Sequence, residues 1–229
     1  MKPIEKAKSF LAANQLKVND IGLIVKALTH PSYAQEHEGT QNYQRLEFLG
    51  DSVLNLIVAV YLYQELTDRP EGVLTKIRSR VVCEKHLVKT AKTLMINEYL
   101  ILGRGEENSG GRNRDSILAD AVEAIIGALY LDQGLEYAAE FILPFVRDDI
   151  DRLSQGDFYD FKSRLQELAQ STGKDNVFYE ILKESGPAHN RTFEAAVYFQ
   201  NRLLAKGAGK SKKEAEQKAA EIALQEHFS

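Results

Sequence analysis

Four carboxylates stand where a folding chain has least use for charge. Glu47 and Asp51 lie four residues apart in "RLEFLGDSVLNLIVAVYLYQEL" (45–66), and Asp120 and Glu123 lie three apart in "ILADAVEAIIGALYLD" (117–132). Both stretches are otherwise largely apolar. On a helix, residues three or four apart share a face, so the members of each pair point the same way. Like charges held close raise each other's pKa, and unpaired buried carboxylates are costly. If the two helices pack, four acids converge. An oxygen-only donor set with no base between the acids of either pair suits a hard divalent cation, Mg²⁺ or Mn²⁺, over zinc. No Glu-x-x-His motif accompanies the acids, which argues against a di-iron bundle. The competing reading makes them helix caps or ion-pair partners of Arg45, Arg78 or Arg80. Two such pairs in two apolar helices favour the metal.

The elements that must position these acids are helical. "DIGLIVKALTH" stops at Pro31, and the 45–66 stretch is followed by Pro70. "EGVLTKIRSRVVCEKHLVKTAKTL" reads as one helix with Cys83 as a reduced core thiol, and "GRGEENSGGRNRD" as a polar loop. "SILADAVEAIIGALYLDQG" and "LEYAAEFILPFVRDDIDRL" complete an all-α region, expected over residues 1–153. A linker is expected at 154–158, opening with "SQGD". After it, "FYDFKSRLQELAQST" reads as a helix, and "VFYEILKES", "RTFEAAVYFQ" and "RLLAKGAG" as strands. In the second strand Phe193, Ala195, Val197 and Phe199 alternate with more polar or smaller residues. Ala215, Ala219, Ile222 and Ala223 share a face of the last helix, which Ser211 and Glu214 open as a capping box. The architecture is thus multidomain, an all-α domain followed by a small α+β (α-β-β-β-α) domain at 159–229.

Composition bounds the partners. Hydrophobic content of 44% is ordinary for a globular chain, and a net charge of −4 gives no global sign of nucleic-acid binding. One cysteine excludes an internal disulfide framework. The N-terminus lacks an apolar signal core, and the run from Val53 to Tyr63 is short for a bilayer, so a cytoplasmic protein with no membrane partner is expected. In the tail, Lys and Arg balance Asp and Glu, eleven of each from Asp157 to Ser229. Their distribution is uneven: "RLLAKGAGKSKK" carries Arg202, Lys206, Lys210, Lys212 and Lys213 without an acid between them. Lysines at a helix start sit well against phosphates, or simply in water.

"NYQRLEFLGDSVL" resembles the signature of bacterial ribonuclease III, the endonuclease that cuts double-stranded RNA. "LTHPSY", "EGVLTKIRSRVV", "LGRGEENSGGR" and "ILADAVEAIIGALYLD" resemble further segments of that family, in the family's order. "GPAHNRTFEAAV" and "GKSKKEAEQKAA" resemble the double-stranded-RNA-binding domain that follows in it. The resemblance implies that Glu47, Asp120 and Glu123 ligate Mg²⁺, that Asp51 completes the catalytic quartet with Glu123, and that Phe48 inserts into the partner subunit of a homodimer. It implies RNA contacts for Ser163, Gln166, Glu167 and Gln170 in one minor groove, His189 in the next, and Lys210, Lys212 and Lys213 on phosphates across the major groove. Gln44 departs from the family, many members of which carry Glu there, and Glu71 matches an acid near the RNA cleft. The implied reaction is metal-dependent hydrolysis of duplex RNA to 5′-phosphate and 3′-hydroxyl ends with a short 3′ overhang, in the processing of ribosomal RNA precursors and some messenger and transfer RNAs. No organic cofactor is implied. The rival readings are a duplex-RNA-binding protein whose helical domain only dimerises, and a small-molecule hydrolase, which leaves the tail unexplained.

Overall fold

The computed structural model describes residues 2–155, 161–172, 176–187 and 191–227. The chain divides into two units, Met1–Gly156 and Asp157–Ser229. The first contains α1 (Pro3–Ala13), α2 (Ile21–Ala27), α3 (Pro31–Glu36), α4 (Gln44–Glu65), α5 (Glu71–Val81), α6 (Glu84–Thr93), α7 (Ile96–Tyr99) and α8 (Arg104–Asn108). A 3₁₀ turn at Gly111–Asn113 leads into α9 (Asp115–Gln133) and α10 (Leu135–Gln155). The expected linker therefore begins inside a helix, because Ser154 and Gln155 are the last residues of α10.

α9 is the unit's central helix. Ile117 to Ala119, Ala121, Val122 and the run from Ala124 to Leu129 are all buried, so apolar contact surrounds most of its girth. α4 lies across it and buries Leu46, Val53, Leu54, Ile57, Val58 and Leu62. By length and a mean hydropathy of 1.5, α4 is apolar enough to cross a membrane, although its uninterrupted apolar run is shorter. Part of that hydrophobicity is buried in the core it shares with α9, and part stays exposed along the opposite side of the helix. The helices meet at two glycines. A Cβ on Gly50 would lie 1.7 Å from the Glu123 carbonyl oxygen, and one on Gly127 would lie 2.3 Å from the Leu46 carbonyl oxygen. Only residues without a side chain permit that approach.

Two local expectations change. The stretch read as one helix from Glu71 breaks at Val82–Cys83 into α5 and α6. Val73, Ile77 and Val81 are buried at four-residue spacing, but the series would next reach the exposed Lys85, whereas α6 buries Leu87, Val88 and Ala91. The apolar face changes phase, so the chain turns. Cys83 sits at that turn and is exposed, its thiol donating to the Arg80 carbonyl at 3.1 Å, and is not a core residue. The Gly- and Arg-rich loop holds a short helix, α8, and is clamped by Arg112, which pairs with Glu107 and donates to the Leu100 carbonyl at 3.1 Å.

The second unit runs α11 (Phe161–Thr172), β1 (Phe178–Ser185), β2 (Thr192–Phe199), β3 (Arg202–Gly209) and α12 (Lys212–His227), with an antiparallel sheet in the order β1-β2-β3. Leu165, Val197, Ala205, Ala219, Ala220 and Ala223 form its core. Small residues let α12 lie close on β3; a Cβ on Gly207 would come within 2.2 Å of the Ala219 nitrogen. The expected alternation in β2 is imperfect. Ala195, Ala196 and Val197 are all buried, and the register with β3 shifts between Val197 and Tyr198. Ser211 caps α12 by accepting from the Glu214 N–H at 3.1 Å, while Glu214 reaches back to the Lys210 N–H at 2.7 Å, one residue beyond the standard box.

Candidate active site and nucleic-acid interface

The α4–α9 crossing brings the four acids into one electrostatic field. Gly50 lies between Glu47 and Asp51, and its contact is the backbone of Glu123 itself. Glu123 is half-buried, and its carboxyl is pushed up to about 8 by burial first, then by Asp51, Asp120 and Glu47. Glu47 is raised by burial and by Asp120. Burial also raises Asp120, against the opposing effects of a Tyr43 hydrogen bond and of His30. The charges acting on Glu47 and Glu123 are all carboxylates, with no arginine among them, which disfavours the ion-pair reading for these two. Asp51 differs from expectation in being exposed. It stands at the outer edge, where Asn55 Nδ2 donates to its Oδ1 at 2.9 Å.

Among the described residues no three of His, Cys, Asp or Glu are arranged to grip an ion as they stand. The donor set nonetheless fits a hard cation by its chemistry. It is oxygen-only and partly desolvated, and the proton that Glu123 retains to about pH 8 supplies charge compensation that a cation would otherwise provide.

The sequence reading missed the groups that steady the acids. Tyr43, immediately before α4, is 2% exposed, and its hydroxyl donates to Asp120 Oδ2 at 3.2 Å. Burial and then the Asp120 charge raise the Tyr43 phenol, so it keeps the proton it donates. His30 packs edge-on against Tyr43, with ring centroids 5.6 Å apart. Its Nδ1 accepts from the Ser32 N–H at 3.1 Å, and burial lowers its pKa, which favours the neutral ring. A tyrosine just before an acid-bearing helix was the available signal. Gln44 and Glu71 stay outside this cluster: each is exposed and opens a helix, and Glu71 accepts from the Thr75 hydroxyl at 2.8 Å.

Phe48 projects from the same turn of α4 as the acids and is 79% exposed. Leu56, Val60 and Tyr63 continue an exposed apolar strip along that helix. In the second unit Ser163, Gln166, Glu167 and Gln170 share one face of α11 by their spacing. Gln166 is partly committed: its Oε1 accepts from the Val177 N–H at 3.1 Å, and its Nε2 donates to Asn176 Oδ1 at 2.9 Å. Lys210, Lys212 and Lys213 are all exposed around the start of α12. His189 lies outside the described residues.

A family profile described as ribonuclease-III-like matches residues 20–150, over half of the chain. A protein of Syntrophomonas wolfei named Ribonuclease 3 is 58% identical over 222 residues, covering 97% of this chain and 95% of that protein. The chain belongs to the ribonuclease III family. Ribonuclease 3 of Moorella thermoacetica is 51% identical over 220 residues, covering 96% of this chain and 94% of that protein. The crystallised nuclease domain of ribonuclease III from Campylobacter jejuni, which has a region involved in dimer formation, is 38% identical with a TM-score of 0.57. The match covers 64% of this chain and 97% of that one. The double-stranded RNA binding motif profile matches residues 161–227, the unit built on α11, the sheet and α12. This ribonuclease III chain is therefore an endoribonuclease with a duplex-RNA-binding unit.

Proposed function

We propose that the chain hydrolyses phosphodiester bonds of double-stranded RNA at the α4–α9 acid cluster with Mg²⁺, for which Mn²⁺ can substitute. The observation that supports this best is the glycine-to-backbone crossing, which puts Glu123 in the field of Asp51, Asp120 and Glu47. Glu47, Asp120 and Glu123 would hold the cation, and Tyr43 orients Asp120. When bound, the cation supplies charge for nucleophile activation and for the departing oxygen. Asp51, oriented by Asn55 at the open edge, accepts a proton as water attacks in line. The products are 5′-phosphate and 3′-hydroxyl ends with a short 3′ overhang.

One acid cluster serves one strand, so cutting both strands calls for two subunits about a two-fold axis. The exposed Phe48 and the apolar strip behind it on α4 supply a surface for such a homodimer. Ser163, Gln166, Glu167 and Gln170 face the minor groove, and Lys210, Lys212 and Lys213 bind phosphates; His189 is assigned to the neighbouring minor groove by resemblance. The setting is cytoplasmic processing of ribosomal RNA precursors and some messenger and transfer RNAs.

Glu123→Gln tests the site. It keeps the shape and removes the negative charge that Glu123 would present to the cation. Single-turnover cleavage of duplex RNA at saturating enzyme should fall by ~100-fold or more, with duplex affinity kept within about tenfold. A cleavage rate close to that of the parent would remove Glu123 from the chemistry.

A further inference from the structure

One feature of the second unit has no part in duplex binding or catalysis as described. The core side chains Val197 and Ala205 pack with Leu165 of α11 and the alanines of α12. Their cross-strand companions in the next position, Phe178, Tyr198 and Leu203, are not in that core. Phe178 pairs with Tyr198 and Tyr198 with Leu203, and Phe178 is 62% exposed. At this end of the sheet lies a shallow hollow of about 480 Å³ lined by Asn176, Phe178, Glu180, Tyr198, Gln200 and Asn201.

The lining says what the hollow takes. It contains no lysine or arginine and one carboxylate, so it repels a phosphate. It offers two aromatic rings edged by three amides and a carboxylate, the groups that stack on a nucleobase and read its donors and acceptors. The rings lie 6.3 Å apart and are tilted by 40°. Two stacking contacts need at least ~7 Å between flanking rings, so a base lies over the exposed Phe178 rather than between the two. The turn adds a second observation. Gln200 and Asn201 join β2 to β3 with φ of 52° and 59°. Asn tolerates this left-handed region, but Gln fits it poorly, and Gly would serve the turn better. A strained glutamine facing the hollow is what a functional side chain at that position would look like. Continuity with the α11 face gives the source of the base. Asn176 Oδ1 accepts from Gln166 Nε2 at 2.9 Å and from Gln170 Nε2 at 3.5 Å, both residues of the surface assigned to the RNA minor groove.

We propose that this hollow receives an unpaired nucleobase adjoining the duplex held on α11, so that the second unit distinguishes a duplex bearing a single-stranded tail from a blunt one. The inference rests on α11 and the α12 lysines being the duplex-binding face. The test uses the full chain with a chelator to prevent cleavage. It compares affinity for two RNAs sharing one duplex longer than the ~16 base pairs such a unit spans, one blunt and one with a short 3′ tail. The parent should prefer the tailed RNA by about fivefold or more, the size expected for one stacked base. Phe178→Ser should shrink that preference below about twofold, a change of under ~0.4 kcal/mol remaining, with blunt-duplex affinity unchanged. Gln200→Gly relieves the backbone strain, so it cannot fail for want of folding, and it too should shrink the preference. A parent without preference, or a preference that survives both substitutions, overturns the proposal. So does an oligomer lost in Phe178→Ser while the preference persists, because the hollow would then be a protein contact. Lys212→Ala with Lys213→Ala separates the underlying reading: it should weaken binding of both RNAs alike, and unchanged blunt-duplex affinity would move the duplex-binding face while leaving the tail ratio to be read independently.

Discussion

Gly50→Ala adds a single methyl group where α4 meets α9. That carbon would sit 1.7 Å from the Glu123 carbonyl oxygen and 2.5 Å from its carbonyl carbon, where real Cβ atoms do not come within 3.0 Å. Both obstacles are backbone, so no side chain can swing aside, and the helices must part by at least about 1.3 Å, the difference between 1.7 and 3.0 Å. Overpacking of this kind costs about 1–3 kcal/mol. Alanine's better helix propensity returns about 1 kcal/mol of that. The net loss of stability should therefore be small, a fall in melting temperature of no more than several degrees. The site should suffer far more. A displacement near 1 Å can cost ~100-fold in rate, and this one separates Glu47 and Asp51 from Asp120 and Glu123. Single-turnover cleavage at saturating enzyme should drop by ~100-fold or more while duplex binding by the second unit stays near normal. Gly72→Ala is the control: nothing lies within 4 Å of a Cβ there, so cleavage should be unchanged. A folded Gly50→Ala protein that cleaves within about threefold of the parent, under ~0.7 kcal/mol of lost transition-state stabilisation, would refute the claim that this crossing sets the acid geometry.

Glu123 also gives a pH signature. Its carboxyl lies at about 8 in the folded, metal-free protein against an ordinary 4.5, so folding favours the protonated acid and this contribution to stability is lost as pH rises from about 4.5 through 8. Metal-free melting temperature should fall across that window more steeply in the parent than in Glu123→Gln, and the Mg²⁺ concentration needed for half-maximal cleavage should rise as pH drops below 8 because the cation must displace a proton. Equal slopes for the two proteins would count against the assignment. Lys212→Ala with Lys213→Ala should flatten the salt dependence of duplex affinity by about two units of the log–log slope, read in a salt titration. Phe48→Ala should weaken self-association and cleavage together; sedimentation showing an unchanged dimer would take Phe48 out of the interface.

The acids could be read from the sequence because charge in an apolar helix is conspicuous one residue at a time. What brings them together could not. Gly50 and Gly127 each look, within their own helix, like a small propensity cost, and their meaning appears only when the two backbones meet. Spacing sets Asp51 beside Glu47 because it gives direction but not depth; the helix turns its outer edge to solvent between them. Tyr43 and His30 are not legible for a related reason, since a buried hydroxyl bond to Asp120 depends on a contact across 77 positions. Cys83 reads as a core residue in the sequence because the hydrophobic pattern continues past it while changing phase. The strands of the second unit were legible from composition, but the bulge near Val197 reflects a fit against β3 that no local pattern announces.

The crossing of α4 and α9 also fixes when the four-acid cluster can assemble during synthesis. The first acid pair is made with α4, and the second only after α5 to α8 have followed. Chains fold in the order they emerge, and contacts distant in sequence wait for their later partner. Until Gly127 is free to meet Leu46 and Gly50, a growing chain carries two acids on an unpacked helix and two not yet made. The two halves of the cluster meet only once α9 packs on α4, so the assembled four-acid cluster arrives as a single late event.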